Sequence, residues 1–176
     1  MFNNREDDFD NAFDKLILNE GGYSNDPIDK GGKTIYGITQ RDFPVDFDRV
    51  YFLYKNGQKK LALLTAKNFY RRVFWNELYK EIPDSSLAFK LFDIGVNRSV
   101  RTAVKILQRT LYYDFGKTLK VDGSFGHITL GAIKSVSSEV LYKKYIDRLE
   151  KSYRSLKDFW YFGKGWLNRL FRRHQI

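Results

Sequence analysis

Apolar side chains near the amino end return at helical intervals: Phe9, Phe13, Leu16 and Ile17 keep the i, i+4, i+7, i+8 rhythm of one face. Glu20 takes the next place on that stripe, and Gly21-Gly22 behind it suits a helix stop. The pattern predicts a helix over 9–20, with Asp7, Asp8 and Asp10 complementing the positive end of its dipole. A loop over 21–34 follows, then a short strand over 35–39 that pairs in a small hairpin. Pro44 interrupts what comes next, and Tyr51, Phe52 and Tyr54 lead into an Asn56-Gly57 turn. Thr65 is placed to cap a helix with Phe69, Tyr70, Val73, Phe74 and Leu78 on its core face. Lys67, Arg71, Arg72 and Lys80 form the solvated side of that helix.

Pro83-Asp84-Ser85 is the strongest internal punctuation and divides the chain into 1–84 and 85–176. A helix over 85–94 presents Leu87, Ala88, Leu91 and Phe92 and ends at Gly95. Ser99 caps the next, whose apolar face is Val100, Ala103, Val104, Leu107 and Leu111. Asp122-Gly123 is a turn, and Thr129 caps a short helix. Ser137 or Ser138 caps a long one, running to about Leu156 with Leu141, Tyr145, Leu149 and Tyr153 as its stripe. The tail from Phe159 mixes Trp160, Trp166, Leu167, Leu170 and Phe171 with Lys164, Arg169, Arg172 and Arg173. Such a basic, aromatic helix either packs on the core or lies on an anionic surface; packing is favoured. The fold class is mainly α, with at most one small β-hairpin.

Composition narrows the function classes. A chain of 176 residues with 15 Phe, 12 Tyr and 3 Trp buries a substantial core. It has no cysteine, which removes disulfides and thiolate chemistry, and no apolar run long enough to span a bilayer. The first twenty residues carry six acids and no apolar core of a Sec-type signal. His127 and His174, the two histidines, lie far apart, so neither a histidine metal cluster nor a Ser-His nucleophile is expected. Residues 1–50 hold 11 acids and 6 bases, whereas 51–176 hold 10 acids and 25 bases. A basic body points to an anionic partner. No nucleic-acid module or phosphate loop accompanies it, so anionic envelope polymers explain the charge as well as nucleic acid does.

Glu20 is the candidate for chemistry. On an apolar stripe, at the negative end of a helix and near Asp26 and Asp29, its carboxyl is pushed toward the protonated form. That form is what a general acid needs. A lone Glu before Gly-Gly is ordinarily a solvated last-turn residue, and that reading stays open beside the first. Asp29 follows on a returning loop and Thr34 opens the strand segment. Two carboxylates across a sugar-sized cleft are the minimum for glycoside hydrolysis.

The run Glu20-Gly-Gly-Tyr-x-x-Asp-Pro-x-Asp-x-Gly-Gly-x-Thr-x-x-Gly-Ile-Thr39 resembles the opening of the glycoside hydrolase family 108 N-acetylmuramidases. Tyr70-Arg71-x-x-Phe74-Trp75 is similar to a helix of that family, with Phe74 in place of a Tyr. Phe92-Asp93-Ile94-Gly95-Val96-Asn97, Ala103 to Leu111, Val121 to Gly126 with Thr129, and Gly165-Trp166-Leu167-Asn168-Arg169 are similar to the peptidoglycan-binding region that usually follows. More loosely, Glu20, Asp29 and Thr34 resemble the Glu–Asp/Cys–Thr triad of phage lysozymes, whose second gap is one residue longer. The resemblance implies a lysozyme-like helical fold. It also implies cofactor-free cleavage of the β-1,4 bond between N-acetylmuramic acid and N-acetylglucosamine.

It further implies Glu20 as general acid, Asp29 positioning water or stabilising oxocarbenium charge, and Thr34 holding that water. Tyr36, Thr39, Asp93 and Asn97 are candidate substrate contacts. For Asp93 and Asn97, hydrogen bonding at a helix end carries equal weight. Gln108 either reads an N-acetyl group or satisfies a neighbouring backbone, the second being favoured. The expected partner is peptidoglycan, with envelope polymers reached through the basic C-terminal region, no specific nucleic acid, and a monomeric enzyme without metal. A phage or prophage endolysin, made in the cytoplasm and acting on the wall after holin-type or dedicated export, fits this profile. A lytic transglycosylase and a non-catalytic wall-binding or secretion-accessory protein are the alternatives.

Overall fold

The computed structural model describes residues 8–17, 22–24 and 32–172. It falls into two compact units, 1–75 and 76–176.

In the first unit α1 (Asp8–Ile17) buries Phe9, Phe13 and Leu16 of the predicted stripe together with Ala12, while Ile17 is half-buried. Phe13 meets Tyr70 and Phe9 meets Trp75 edge-on, at 5.5 and 5.4 Å between ring centroids. Three two-residue strands, β1 (Tyr23–Ser24), β2 (Thr34–Ile35) and β3 (Ile38–Thr39), form an antiparallel sheet in that order. The helices α2 (Pro44–Lys55) and α3 (Lys59–Phe74) make an antiparallel-type hairpin joined at Asn56-Gly57-Gln58. Gly57 adopts φ +77°, and the amides of Gly57 and Gln58 reach back to the carbonyls of Tyr54 and Leu53. That is the left-handed stop that glycine permits.

Pro44 initiates a helix here instead of interrupting one. At the first helical position its missing N–H has no intrahelical partner to lose, and its fixed φ is already helical. Thr65 does not cap α3 but lies inside it, donating its hydroxyl to the Leu61 carbonyl at 2.8 Å.

The second unit opens with a 3-10 turn (Glu77–Glu81) and then α4 (Ser85–Arg98), capped by the Asp84 carboxylate accepting from the Ser86 amide at 2.9 Å. Ser86 to Gly95 are buried without interruption, so α4 is the central element of this unit. It runs past Gly95, which stays helical. A side chain there would stand 3.3 Å from Val100 Cγ2, so glycine admits the turn into the next helix rather than ending this one. That turn is made at Ser99, whose φ is +132°. The Ser99 hydroxyl caps α5 (Val100–Phe115) by accepting from the Thr102 amide.

The helices α6 (His127–Lys134), α7 (Ser138–Arg154) and α8 (Phe159–Phe171) complete the unit. Thr129 is a buried residue within α6, not its cap, which is Gly126. Leu141, Tyr145, Leu149 and Tyr153 bury the predicted stripe of α7, and the Tyr145 hydroxyl donates to the Ala103 carbonyl at 3.1 Å. In α8, Leu170 is buried while Trp160, Tyr161 and Phe162 are exposed. The fold is mainly α and lysozyme-like, with a three-stranded sheet where a hairpin was expected. No helix among the described residues is long and apolar enough to cross a membrane.

Candidate functional site

Glu20 and Asp29 lie outside the described residues. What the structure does describe is the sheet that Thr34 opens.

Successive strand residues face opposite ways, and the register fixes which residues share a face. Ile35 pairs with Ile38 and both are buried, so this face lies on the core against α2. Thr34 therefore shares the opposite face with its partners Ser24 and Thr39. Three short hydroxyl side chains, one per strand, stand in a row there, and Thr34 and Thr39 are half-buried. Thr39 is engaged: its hydroxyl donates to Asp42 Oδ2 at 2.8 Å and accepts from the Asp42 amide at 3.3 Å. The Arg41 guanidinium and then the Thr39 hydroxyl hold the Asp42 carboxyl below the usual carboxylate range.

Tyr36 and Gly37 make the two-residue turn between β2 and β3, with φ of +47° and +76°. Positive φ at both positions matches the right-handed strand twist, and a tyrosine there is unusual. Three contacts hold it. The Tyr36 amide donates to the Gly22 carbonyl at 2.9 Å, the Tyr70 hydroxyl donates to the Tyr36 carbonyl at 3.0 Å, and its ring meets Tyr54 edge-on at 6.0 Å. Burial, then the neighbouring Tyr54, pushes the Tyr36 phenol upward. A methyl at Gly22 would come within 3.1 Å of the Tyr54 hydroxyl. The second glycine of the Gly-Gly pair thus gives the Tyr54 side chain of α2 room to lie against the chain here.

Tyr51 and Tyr54 belong to this site, and sequence reasoning did not find them. Tyr51 lies against Tyr23 with ring centroids 5.0 Å apart. Their spacing of three is a helical signal, masked in the sequence by Pro44, which can break a helix as well as begin one.

Asp93 and Asn97 come together one turn apart on α4, within the second unit. The Asn97 amide donates to the Asp93 carbonyl at 2.6 Å and to Asp93 Oδ1 at 3.3 Å. Asp93 is 3% exposed and shared between two cations. Arg169 Nε donates to Oδ1 at 2.8 Å, and Lys90 Nζ lies 3.5 Å from Oδ2. Lys90 is itself 1% exposed and also donates to the Arg169 and Arg172 carbonyls at 3.2 and 3.3 Å. Burial pulls the Lys90 ammonium below its ordinary pKa, against the opposing pull of Asp93. The carboxylate thus ties α4 to α8, and the exposed side chain of the pair is Asn97.

Gln108 is buried and fully used. Its amide donates to Asp122 Oδ1, the Ser124 carbonyl and Thr129 Oγ1, and its oxygen accepts from the Gly123 amide at 2.8 Å. This is the backbone-satisfying role, extended to two side chains. Among the described residues no group of three or more His, Asp or Glu is arranged to hold a metal ion.

Residues 13–98 match the family model for glycosyl hydrolase 108, and residues 102–171 match that for a predicted peptidoglycan domain. Among solved structures the chain is similar to Brucella abortus SagA, with 25% identity and a TM-score of 0.71 over 94% of this chain and 90% of that one. Among curated protein sequences none matches. The first match takes in Glu20, Asp29, the hydroxyl face of the sheet and the Asp93–Asn97 turn; the second takes in Gln108 and α8. By these two matches residues 13–98 form a glycosyl hydrolase 108 segment, and a predicted peptidoglycan domain follows it over 102–171.

Proposed function

We propose that this glycoside hydrolase is an N-acetylmuramidase, cleaving the β-1,4 bond between N-acetylmuramic acid and N-acetylglucosamine in peptidoglycan. The observation that carries the reading is the family match over 13–98, which spans Glu20, Asp29 and Thr34, a set whose first gap is that of the phage-lysozyme triad and whose second is one residue shorter. Glu20 is the general acid that protonates the leaving glycosidic oxygen. Asp29 holds the attacking water or the oxocarbenium charge, and Thr34 steadies that water from the hydroxyl face of the sheet. Tyr36 and Thr39 border the same segment, with Thr39 acting through Asp42. Asp93 is a positioning residue that fixes Asn97. The enzyme acts as a monomer on the bacterial wall, as a phage or prophage endolysin released from the cytoplasm.

Muropeptide mass spectrometry of digested walls, wild type beside Glu20→Gln, tests the reading. Hydrolysis adds one water at each cut, and Glu20→Gln should lower the rate by at least about 100-fold. Products of 1,6-anhydro type would make the enzyme a lytic transglycosylase. Wall clearance by Glu20→Gln at the wild-type rate would remove Glu20 from the role of acid, and an inert wild type would leave a wall-binding protein.

A further inference from the structure

The second unit holds a pocket of about 390 Å³ where the end of α4 faces α7 and α8. Asn97, Arg98, Tyr153, Gly165, Trp166 and Arg169 line it. Two guanidinium groups enter this lining and, among the described residues, no carboxylate does. The neighbouring acid, Asp93, is already bonded to Arg169 and Lys90. Arg98 is held in place: Nη1 donates to Ser152 Oγ at 2.9 Å, and its guanidinium lies over the Tyr153 ring at 5.0 Å. Among the described residues, Arg98 and Arg169 each engage one N–H of the five a guanidinium offers.

The wall beside these cations is aromatic. Trp166 packs on Tyr153 and on Phe162, with centroids 5.6 and 5.8 Å apart. Asn97 spends its amide hydrogens on Asp93, which leaves its side-chain oxygen as an acceptor at the rim. The site thus offers fixed positive charge for an anion, an acceptor for an N–H, and a ring surface for an apolar body. Gly165 leaves the space open, since a Cβ built on it meets no atom within 4 Å.

We propose that this pocket binds a free carboxylate, with its adjacent amide, on the peptide stem of peptidoglycan, and so makes the enzyme prefer peptide-bearing glycan. Arg98 and Arg169 receive the carboxylate, the Asn97 oxygen accepts the amide N–H, and the Trp166 face carries the aliphatic part. The inference rests on the reading of peptidoglycan as substrate.

The test is calorimetric titration of the whole chain with a disaccharide-tetrapeptide muropeptide, the same compound with its carboxylates amidated, and a neutral N-acetylglucosamine oligomer. The free-acid muropeptide should bind at least about tenfold more tightly than either of the others, one charge-assisted pair being of that size. Gly165→Leu fills the pocket and replaces a helical glycine by a better helix former, so it should remove the preference without lowering the unfolding midpoint. Arg98→Gln should weaken the free-acid ligand and leave the amidated one unchanged. Equal affinity for the three ligands, or an unaltered preference in Gly165→Leu, overturns the proposal. An acidic, peptide-free uronic oligomer that binds as tightly as the muropeptide also overturns it, by making the site one for acidic glycans. Wild-type cleavage of purified wall is measured in parallel. If walls are cut but the ligands are not discriminated, the pocket assignment fails alone; if walls are not cut, the hydrolytic reading fails.

Discussion

Replacing Asp93 by Asn keeps the shape of the side chain and removes a negative charge that faces a buried ammonium. Lys90 is 1% exposed and cannot turn to water without opening α4. Two neutral carbonyls, at 3.2 and 3.3 Å, remain its partners. Breaking a buried pair by removing one member costs about 3–5 kcal/mol. Arg169 is 37% exposed and hydrates when released, which places the expected loss near the lower end, about 3 kcal/mol. For a chain of this size that lowers the melting temperature by about 6–12 °C.

The pH dependence carries a sign. Lys90 has a folded pKa below its ordinary 10.5, so the unfolded chain binds more protons between the two values and stability rises with pH there. Without Asp93 the folded pKa falls further and that window widens. The Asp93→Asn deficit should therefore be full below the variant's folded Lys90 pKa and shrink as pH climbs from there toward 10.5. Urea unfolding at two or three pH values measures both effects. The double variant Lys90→Met/Asp93→Leu should recover most of the loss, because an apolar pair needs no charge compensation. A deficit under about 1 kcal/mol, or one that grows with pH, would refute the account.

Other outcomes follow from single contacts. Gly123 sits at φ +81°, and a Cβ there would meet Arg101 Cγ at 2.6 Å and the Arg101 carbonyl oxygen at 2.9 Å. Gly123→Ala should lower stability by about 2 kcal/mol or more in chemical denaturation, and a neutral result would mean that the turn is not held against α5. Gln108→Leu strands partners on Asp122, Gly123, Ser124 and Thr129 and should lose about 2–4 kcal/mol, read from the unfolding midpoint. The lowered pKa of Asp42 favours the fold above its ordinary 3.8, and this support fades as pH falls through the folded value. Thr39→Val should move the Asp42 carboxyl upward in an NMR titration while Arg41 still holds it below 3.8; an unmoved value would exclude the hydroxyl as a cause. Gly22→Val should push Tyr54 away and lower wall-cleavage rate; full activity would show that the α2 approach is not needed.

Much of the fold was legible because its cores are periodic: Phe9, Phe13 and Leu16, and the α7 stripe through Tyr153, are buried as their spacing demands. The errors share one cause, a local signal with two physical meanings. Proline both ends helices and begins them, and Pro44 begins one. Glycine both stops helices and admits close neighbours, and Gly95 does the second. Threonine hydroxyls cap helix starts but also bond back to a preceding turn, as Thr65 does. In the site, the hydroxyl row follows from strand alternation once the register is known, but the register of two-residue strands is not written in their sequence. The partners of Asp93 were hidden for a different reason: Lys90 is one turn away, yet Arg169 is 76 residues distant.

The carbonyls that cradle the Lys90 ammonium belong to the last turn of α8 and the residue just after it. The carboxyl end of α8 is thus a stopper for a cation sealed inside the second unit on α4. A deletion reaching back to Arg169 would unseat that stopper and flood the interior of the second unit. Shortened versions of the enzyme should keep every residue through Arg172.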